Sequence, residues 1–205
     1  MTTIIRSAEE PDIPYLYDIC IRTGDKGNDA SSLFYDPHLL GHYYAAPYFF
    51  YDRSVCFVVA EDGIPKGYIV AATDTVIFRR WLNEMWLPPL REHYTGYFPA
   101  EKVRSPLEQS IITLIHAPPR ADPAWIHSFP AHLHIDLLPD VQHRGYGRAL
   151  MEKLIAALCR RGIPGIHLGV DVENRGARIF YQKTGFMQLE EREWGFTLGK
   201  NLNPD

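Results

Sequence analysis

The feature that most constrains this chain is the stretch from 132 to 161. HLHIDLLP (132–139) reads as a strand. QHRGYG (142–147) is a glycine turn, and Leu150, Leu154 and Leu158 then recur at helical spacing until Gly162 stops the helix. A further strand, GIHLGV (165–170), follows after a few residues. A strand, a glycine turn and a helix returning to a strand build one layer of helices on a sheet. Such a turn also presents unpaired N–H groups at the positive end of the helix dipole, which suits an anion.

The rest of the chain extends that sheet. TIIR (3–6) reads as a first strand, and Asp12 is placed to cap a helix over 13–23. GDKGNDASS (24–32) is a loop by composition, and Pro37 and Pro47 bracket a short helix in the aromatic-rich stretch 36–51. SVCFVVAED (54–62) and GYIVAATDT (67–75) read as a hairpin turning at GIPK. NRGARIFYQKT (174–184) reads as a helix capped by Asn174 and ended by Gly185, and FMQLE and WGFTLGK close the chain as an antiparallel pair. Residues 76–130, with two helical stretches at 78–93 and 105–117, are broken by prolines and read as an insertion packed on the sheet. The expected organisation is one α/β domain over 1–205 with that insertion.

Composition narrows the function classes. The net charge of −4 among 205 residues is not that of a general nucleic-acid binder. Three cysteines without CxxC spacing exclude a zinc finger and argue against a disulfide framework. No apolar run approaches the roughly 20 residues of a membrane helix, and MTTIIRSAEEPD lacks a signal-peptide core, so a cytoplasmic protein is expected.

Two phosphate-binding patterns fail on the glycine turn. A phosphate loop of the GxxxxGK[ST] kind needs Lys-Ser/Thr where Arg148-Ala149 stand. A dinucleotide fingerprint needs a third glycine where Leu150 stands. An ordinary β–α turn would need no ligand. Gln142-x-x-Gly145-x-Gly147, followed by Asn174-x-x-Ala177-x-x-Phe180-Tyr181-x-x-x-Gly185-Phe186, resembles the two landmarks of the GNAT (Gcn5-related N-acetyltransferase) superfamily. IIRSAEEPD, EDGIPKGYIV and LLP are similar to its opening and its second to fourth strands. CIRTGDKGNDAS, GYIVAATDTVIF, WLPPLREHYT and HIDLL further resemble the acetyltransferase-like C-terminal domain of animal O-GlcNAcase, which would account for the insertion. That domain has a degenerate pyrophosphate loop, whereas the loop here is intact. The likeness does not extend to sugar hydrolysis.

The resemblance implies a mixed, mostly antiparallel sheet splayed between its fourth and fifth strands, with acetyl-CoA as substrate. It places the pyrophosphate on Gln142, His143, Arg144, Gly145, Tyr146, Gly147 and Arg148, and the acyl and pantetheine portion on the N–H groups of Leu137 and Leu138. Asn174, Ala177 and Tyr181 complete the cofactor set, with Tyr181 as general acid. A phenol is neutral near pH 7 and can donate, which suits a departing thiolate.

Period two puts His132, His134 and Asp136 on one strand face, opposite Leu133, Ile135 and Leu137. A polar row on a central strand points to a cleft, and Asp136 is the favoured base for the acceptor ammonium, with His134 second. Asp136 also matches the acidic residue of the HID-type segment in the resembled domain. His132-x-His134 could chelate zinc, but Leu137 follows where the metallo-β-lactamase-type run has a second histidine, so no metal is expected. The aromatics of 43–51 and 78–97 read as core more than as an acceptor lid. The expected activity is acetyl transfer to an amine. A longer acyl-CoA substrate and a non-catalytic acetyl-CoA-binding or protein-interaction module are the rivals.

Overall fold

The computed structural model describes residues 2–95, 104–119 and 122–203. Seven strands form one sheet in the order β1-β2-β3-β4-β5-β7-β6. They are β1 (Thr3–Ser7), β2 (Phe57–Glu61), β3 (Ile64–Ala72), β4 (Ala131–Leu137), β5 (Gly165–Asp171), β6 (Met187–Arg192) and β7 (Gly195–Asn201). All neighbours are antiparallel except β4 and β5. That parallel pair holds only at Ala131–Ile166 and His132–His167, and past it the two strands part. The sheet is the mixed, splayed one expected.

The pleat sorts the core into two layers. Tyr68, Val70 and Ala72 of β3 pack with Leu16, Ile19 and Cys20 of α1 (Ile13–Thr23). The same layer holds α2 (Leu39–Tyr44), α3 (Ala46–Asp52), α4 (Thr75–Trp81), α5 (Leu87–Thr95) and α6 (Pro106–His116). Ile69 and Ala71 face the other way, onto Leu150, Leu154 and Leu158 of α7 (Tyr146–Cys159). Tyr181 of α8 (Arg175–Lys183) joins this second layer. The elements expected to form an insertion therefore share their apolar residues with α1 and α2: Phe78, Leu87, Ile111 and Ile115 lie in one cluster with Leu16 and Leu39. Between α4 and α5 the helix widens to a π turn over Leu82–Trp86, just before Pro88 and Pro89, which have no N–H to give. The aromatic stretch expected to run to 97 ends at Tyr97, which lies outside the described residues.

Four local expectations change. The hairpin turns at Asp62-Gly63, both with positive φ, so Ile64–Lys66 belong to β3 and not to the turn. Thr73–Thr75 do not continue that strand: Asp74 accepts from the N–H groups of Val76 and Ile77 (2.9 Å each) and caps α4. Asp12 does not cap α1. Its carboxylate turns back to Arg6 (2.6 and 2.8 Å) and to the Glu9 N–H, because its own backbone is already helical. The fourth change concerns the expected short helix of 36–51, which is two helices, α2 and α3, broken at Ala45.

Glu108 fastens α6 to the chain at Tyr35. It is fully buried and accepts from the N–H groups of Tyr35 (2.7 Å) and Arg104 (2.7 Å). Glu108→Ala should cost about 1–3 kcal/mol, because the partly buried N–H groups of Tyr35 and Arg104 lose their acceptor. Urea unfolding would read this as a lowered midpoint at unchanged slope; a shift under about 0.5 kcal/mol would refute the fastening role. Among the described residues no helix is long and apolar enough to cross a membrane.

Candidate active site

Where β4 and β5 part, a cleft of about 940 Å³ opens, in the size range of small-molecule sites. One end is the start of α7. The first bond of that helix runs from Ala149 N–H to the Gly145 carbonyl (3.1 Å), and no side chain caps the end. The N–H groups of Tyr146, Gly147 and Arg148 are thus left without helical partners. His143 (φ 58°) and Gly145 (φ 84°) both take the left-handed conformation that bends the loop round this end. A Cβ on Gly147 would meet nothing closer than 3.5 Å, so this glycine is not required by protein packing, and it lines the cleft. Those are the properties of an anion cradle that a phosphate can approach closely.

Ten of the expected site residues border this one cleft: Asp136, Leu137, Gln142, His143, Gly145, Gly147, Arg148, Asn174, Ala177 and Tyr181. Three do not. The Leu138 N–H is given to the Lys66 carbonyl (2.9 Å), and its side chain is core. Arg144 turns to Glu61 (2.8 Å) and covers the ring of Tyr146, which is partly buried between the two layers. The alternation of an antiparallel ladder sends the Leu137 N–H to the opposite side from that of Leu138, towards the gap left by β5. Gln142 ties the loop to the strand end, donating to the Leu137 carbonyl (2.8 Å). Asn174 caps α8 by accepting from Ala177 N–H (3.1 Å).

The polar row of β4 divides. His132 does not line the cleft, unlike His134 and Asp136, so its expected place there is not borne out. The Thr75 hydroxyl contacts both the Pro130 carbonyl (2.8 Å) and His132 Nδ1 (2.7 Å). A carbonyl only accepts, so the hydroxyl proton goes to Pro130 and His132 Nδ1 must donate. Tyr48 then donates to His132 Nε2 (2.8 Å) and accepts from His134 Nε2 (3.0 Å). This assignment leaves the lone pair of His134 on Nδ1. Burial holds His134 down at about 4 and His132 well below the usual histidine range, so both are neutral near pH 7.

Asp136 lies at the far end of the row, on the cleft. Burial pushes its carboxyl up to about 6, against the pull of the Tyr68 hydroxyl, which donates to Oδ2. Tyr181 borders the same cleft from α8; burial, then the charge of Asp136, raises its phenol and keeps it protonated. Cys20 also borders the cleft, with its thiol raised by burial and therefore not a thiolate. Among the described residues no three His, Cys, Asp or Glu side chains gather as a metal site would require.

Sequence reasoning missed Tyr68 and the wall residues Leu40, Leu107 and Ile111; of the aromatics of 43–51, read as core more than lid, Tyr48 is core and Tyr44 lines the cleft. Tyr68 stands opposite Asp136 in the β3–β4 register, which only the pairing reveals.

The sequence pattern of the Acetyltransferase (GNAT) family matches residues 27–186. The chain belongs to the GNAT acetyltransferase family. This GNAT chain is similar over the full length of both chains to the crystal structure of SsHAT, at 35% identity and a TM-score of 0.90. It is 26% identical over 153 residues to protein O-GlcNAcase of Rattus norvegicus, a match covering 72% of this chain and 16% of the rat protein. The fold is also that of an N-acetyltransferase of Thermoplasma acidophilum solved with coenzyme A (TM-score 0.56, 14% identity, 98% of this chain and 99% of that one). This GNAT chain thus shares the family's sequence pattern and its fold, and the turn at Gly145–Arg148 lies within the matched residues.

Proposed function

We propose that the protein moves an acetyl group from acetyl-CoA to a primary amine by direct attack, with Asp136 as base and Tyr181 as acid. What carries this reading is that one cleft gathers the α7 cradle, a carboxyl titrating at about 6 and a protonated phenol. Bound acetyl-CoA supplies the thioester. The main-chain N–H groups of Gly147 and Arg148 hold its pyrophosphate, and the Leu137 N–H is free to donate to the acyl oxygen as charge builds there.

Asp136 takes one proton from the ammonium, directly or through a water, and the freed nitrogen attacks the acyl carbon. The C–S bond breaks as Tyr181 gives its proton to the sulfur, and Tyr181 regains one from the nitrogen. Asp136 then releases its proton to solvent. A carboxyl near 6 is ionised at neutral pH yet basic enough to hold a proton briefly, which the neutral His134, at about 4, is not. His134 accepts a hydrogen bond from the amine instead. The protonated thiol of Cys20 disfavours an acyl-enzyme route.

Tyr181→Phe should lower kcat about 10- to 100-fold and leave acetyl-CoA affinity nearly unchanged, because the hydroxyl is used only when the sulfur departs. Thiol release against a panel of amines, with calorimetry in parallel, measures both. Full activity in this variant would remove Tyr181 from the mechanism. A parent protein that binds acetyl-CoA but never releases thiol on adding an amine would instead be a binding module.

A further inference from the structure

The cleft has a second side that the cradle does not use. It is walled by Leu40 and Tyr44 from α2 and by Leu107 and Ile111 from α6, and Tyr44 packs edge-on to His134 with ring centres 5.0 Å apart. Asp136 stands at its floor, on the β4 face that looks to these helices. None of the four wall residues can carry a charge near pH 7: three are aliphatic, and burial raises the Tyr44 phenol further from ionisation. His134 beside them is neutral.

The cleft's other carboxylate, Asp171, stands four residues past the His132–His167 pair on β5, as Asp136 does on β4. It accepts from the Glu173 N–H (2.8 Å) and lies across the splay from Asp136, not on the α2–α6 wall. A body reaching from Asp136 towards that wall therefore meets mainly apolar surface, with the Ser110 hydroxyl beside it, and no anion.

We propose that the acceptor is a small primary monoamine with an uncharged, apolar body, seated against Leu40, Tyr44, Leu107 and Ile111 with its ammonium on Asp136. This rests on the transferase reading above. Part of the 940 Å³ must take the pantetheine chain, so the remainder holds a small molecule. A second ammonium directed at the wall would lose its water without gaining a partner. Each added methylene would gain contact until the wall is covered, about fourfold in kcat/KM per step.

The test is thiol release by the full chain at saturating acetyl-CoA. The acceptors are n-alkylamines from butyl to heptyl, 2-phenylethylamine, the α,ω-diamines of equal length and a lysine peptide. The expected result is a rising monoamine series, with each diamine at least tenfold below the monoamine of its length. Ser110 lines the cleft from α6 and is exposed, so Ser110→Asp adds a carboxylate to the wall without disturbing the core. It should narrow the gap between heptylamine and 1,7-diaminoheptane at least tenfold. Diamines or the lysine peptide matching or exceeding the monoamines would overturn the monoamine inference, by a route such as a diamine bridging Asp136 and Asp171, while the transferase reading stood. No thiol release above the amine-free background with any of these acceptors would overturn both.

Discussion

Asp136→Asn should lower kcat/KM at neutral pH by about 10²- to 10⁴-fold, the range for a positioned base. The parent rate should rise with pH along a limb centred near 6, where the carboxyl ionises. In the variant that limb should vanish, while acetyl-CoA binds as before. The same substitution has a stability signature of opposite sense. The folded carboxyl titrates at about 6 against an ordinary value of 3.8, so the folded state holds the proton more tightly than the unfolded chain. Its stabilisation is complete below about 3.8 and is lost as pH rises through 6. An asparagine stays neutral and still accepts from Tyr68. Above pH 7 the variant should thus be the more stable protein, by up to about 3 kcal/mol, while near pH 4 the two should converge. His134 works the other way, its contribution being lost as pH falls from 6.5 through about 4, but it is common to both proteins and cancels in the difference. Denaturant unfolding at pH 4 and pH 8 gives the stabilities, and thiol release across pH gives the rates. A variant with unaltered rate and an unaltered acidic limb would show that another group takes the proton.

Gly147→Trp should weaken acetyl-CoA at least 100-fold and abolish the rise in melting temperature that the ligand gives the parent. At a ligand concentration 100 times Kd that rise corresponds to about 2.7 kcal/mol. The reasoning lies in what surrounds the glycine. A Cβ there would sit 3.5 Å from Phe180 and 3.6 Å from Leu137, an ordinary contact. Its backbone is helical, so a side chain costs the fold little, and Gly147→Ala should even gain about 0.5–1 kcal/mol. An indole, however, would fill the space in front of the α7 N–H groups. Gly145 differs: with φ at 84° it is needed by the backbone whatever binds. A folded Gly147→Trp protein whose calorimetric affinity equals the parent's would move the phosphate site elsewhere.

The glycine turn, the β-α-β order and the capped α8 were legible from local chemistry, because each is set by residues a few positions apart. Leu150, Leu154 and Leu158 recur at helical spacing and are fully buried in α7, and Asn174 caps as its type and place suggest. The same locality explains the failures. Asp12 has the right type for a cap, but a better partner, Arg6, reaches it from the neighbouring strand. Leu138 was given a free N–H, yet the ladder with β3 takes it.

The sequence by itself determined which residues could do chemistry: a carboxylate and two imidazoles alternating on one strand, a phenol on the last helix and a turn fit for phosphate. Only the tertiary structure decided what each became. Tyr48, more than 80 residues before the histidines, joins them in one hydrogen-bond chain, and burial among such remote neighbours keeps both neutral. Burial beside β3 and α1, from which Tyr68 and Thr23 reach it, raises the Asp136 carboxyl to about 6. The splay of β4 from β5 brings Asp136, Tyr181 and the α7 end to one cleft. Protonation depends on burial and on nearby charge, and both are set by neighbours that are remote along the chain.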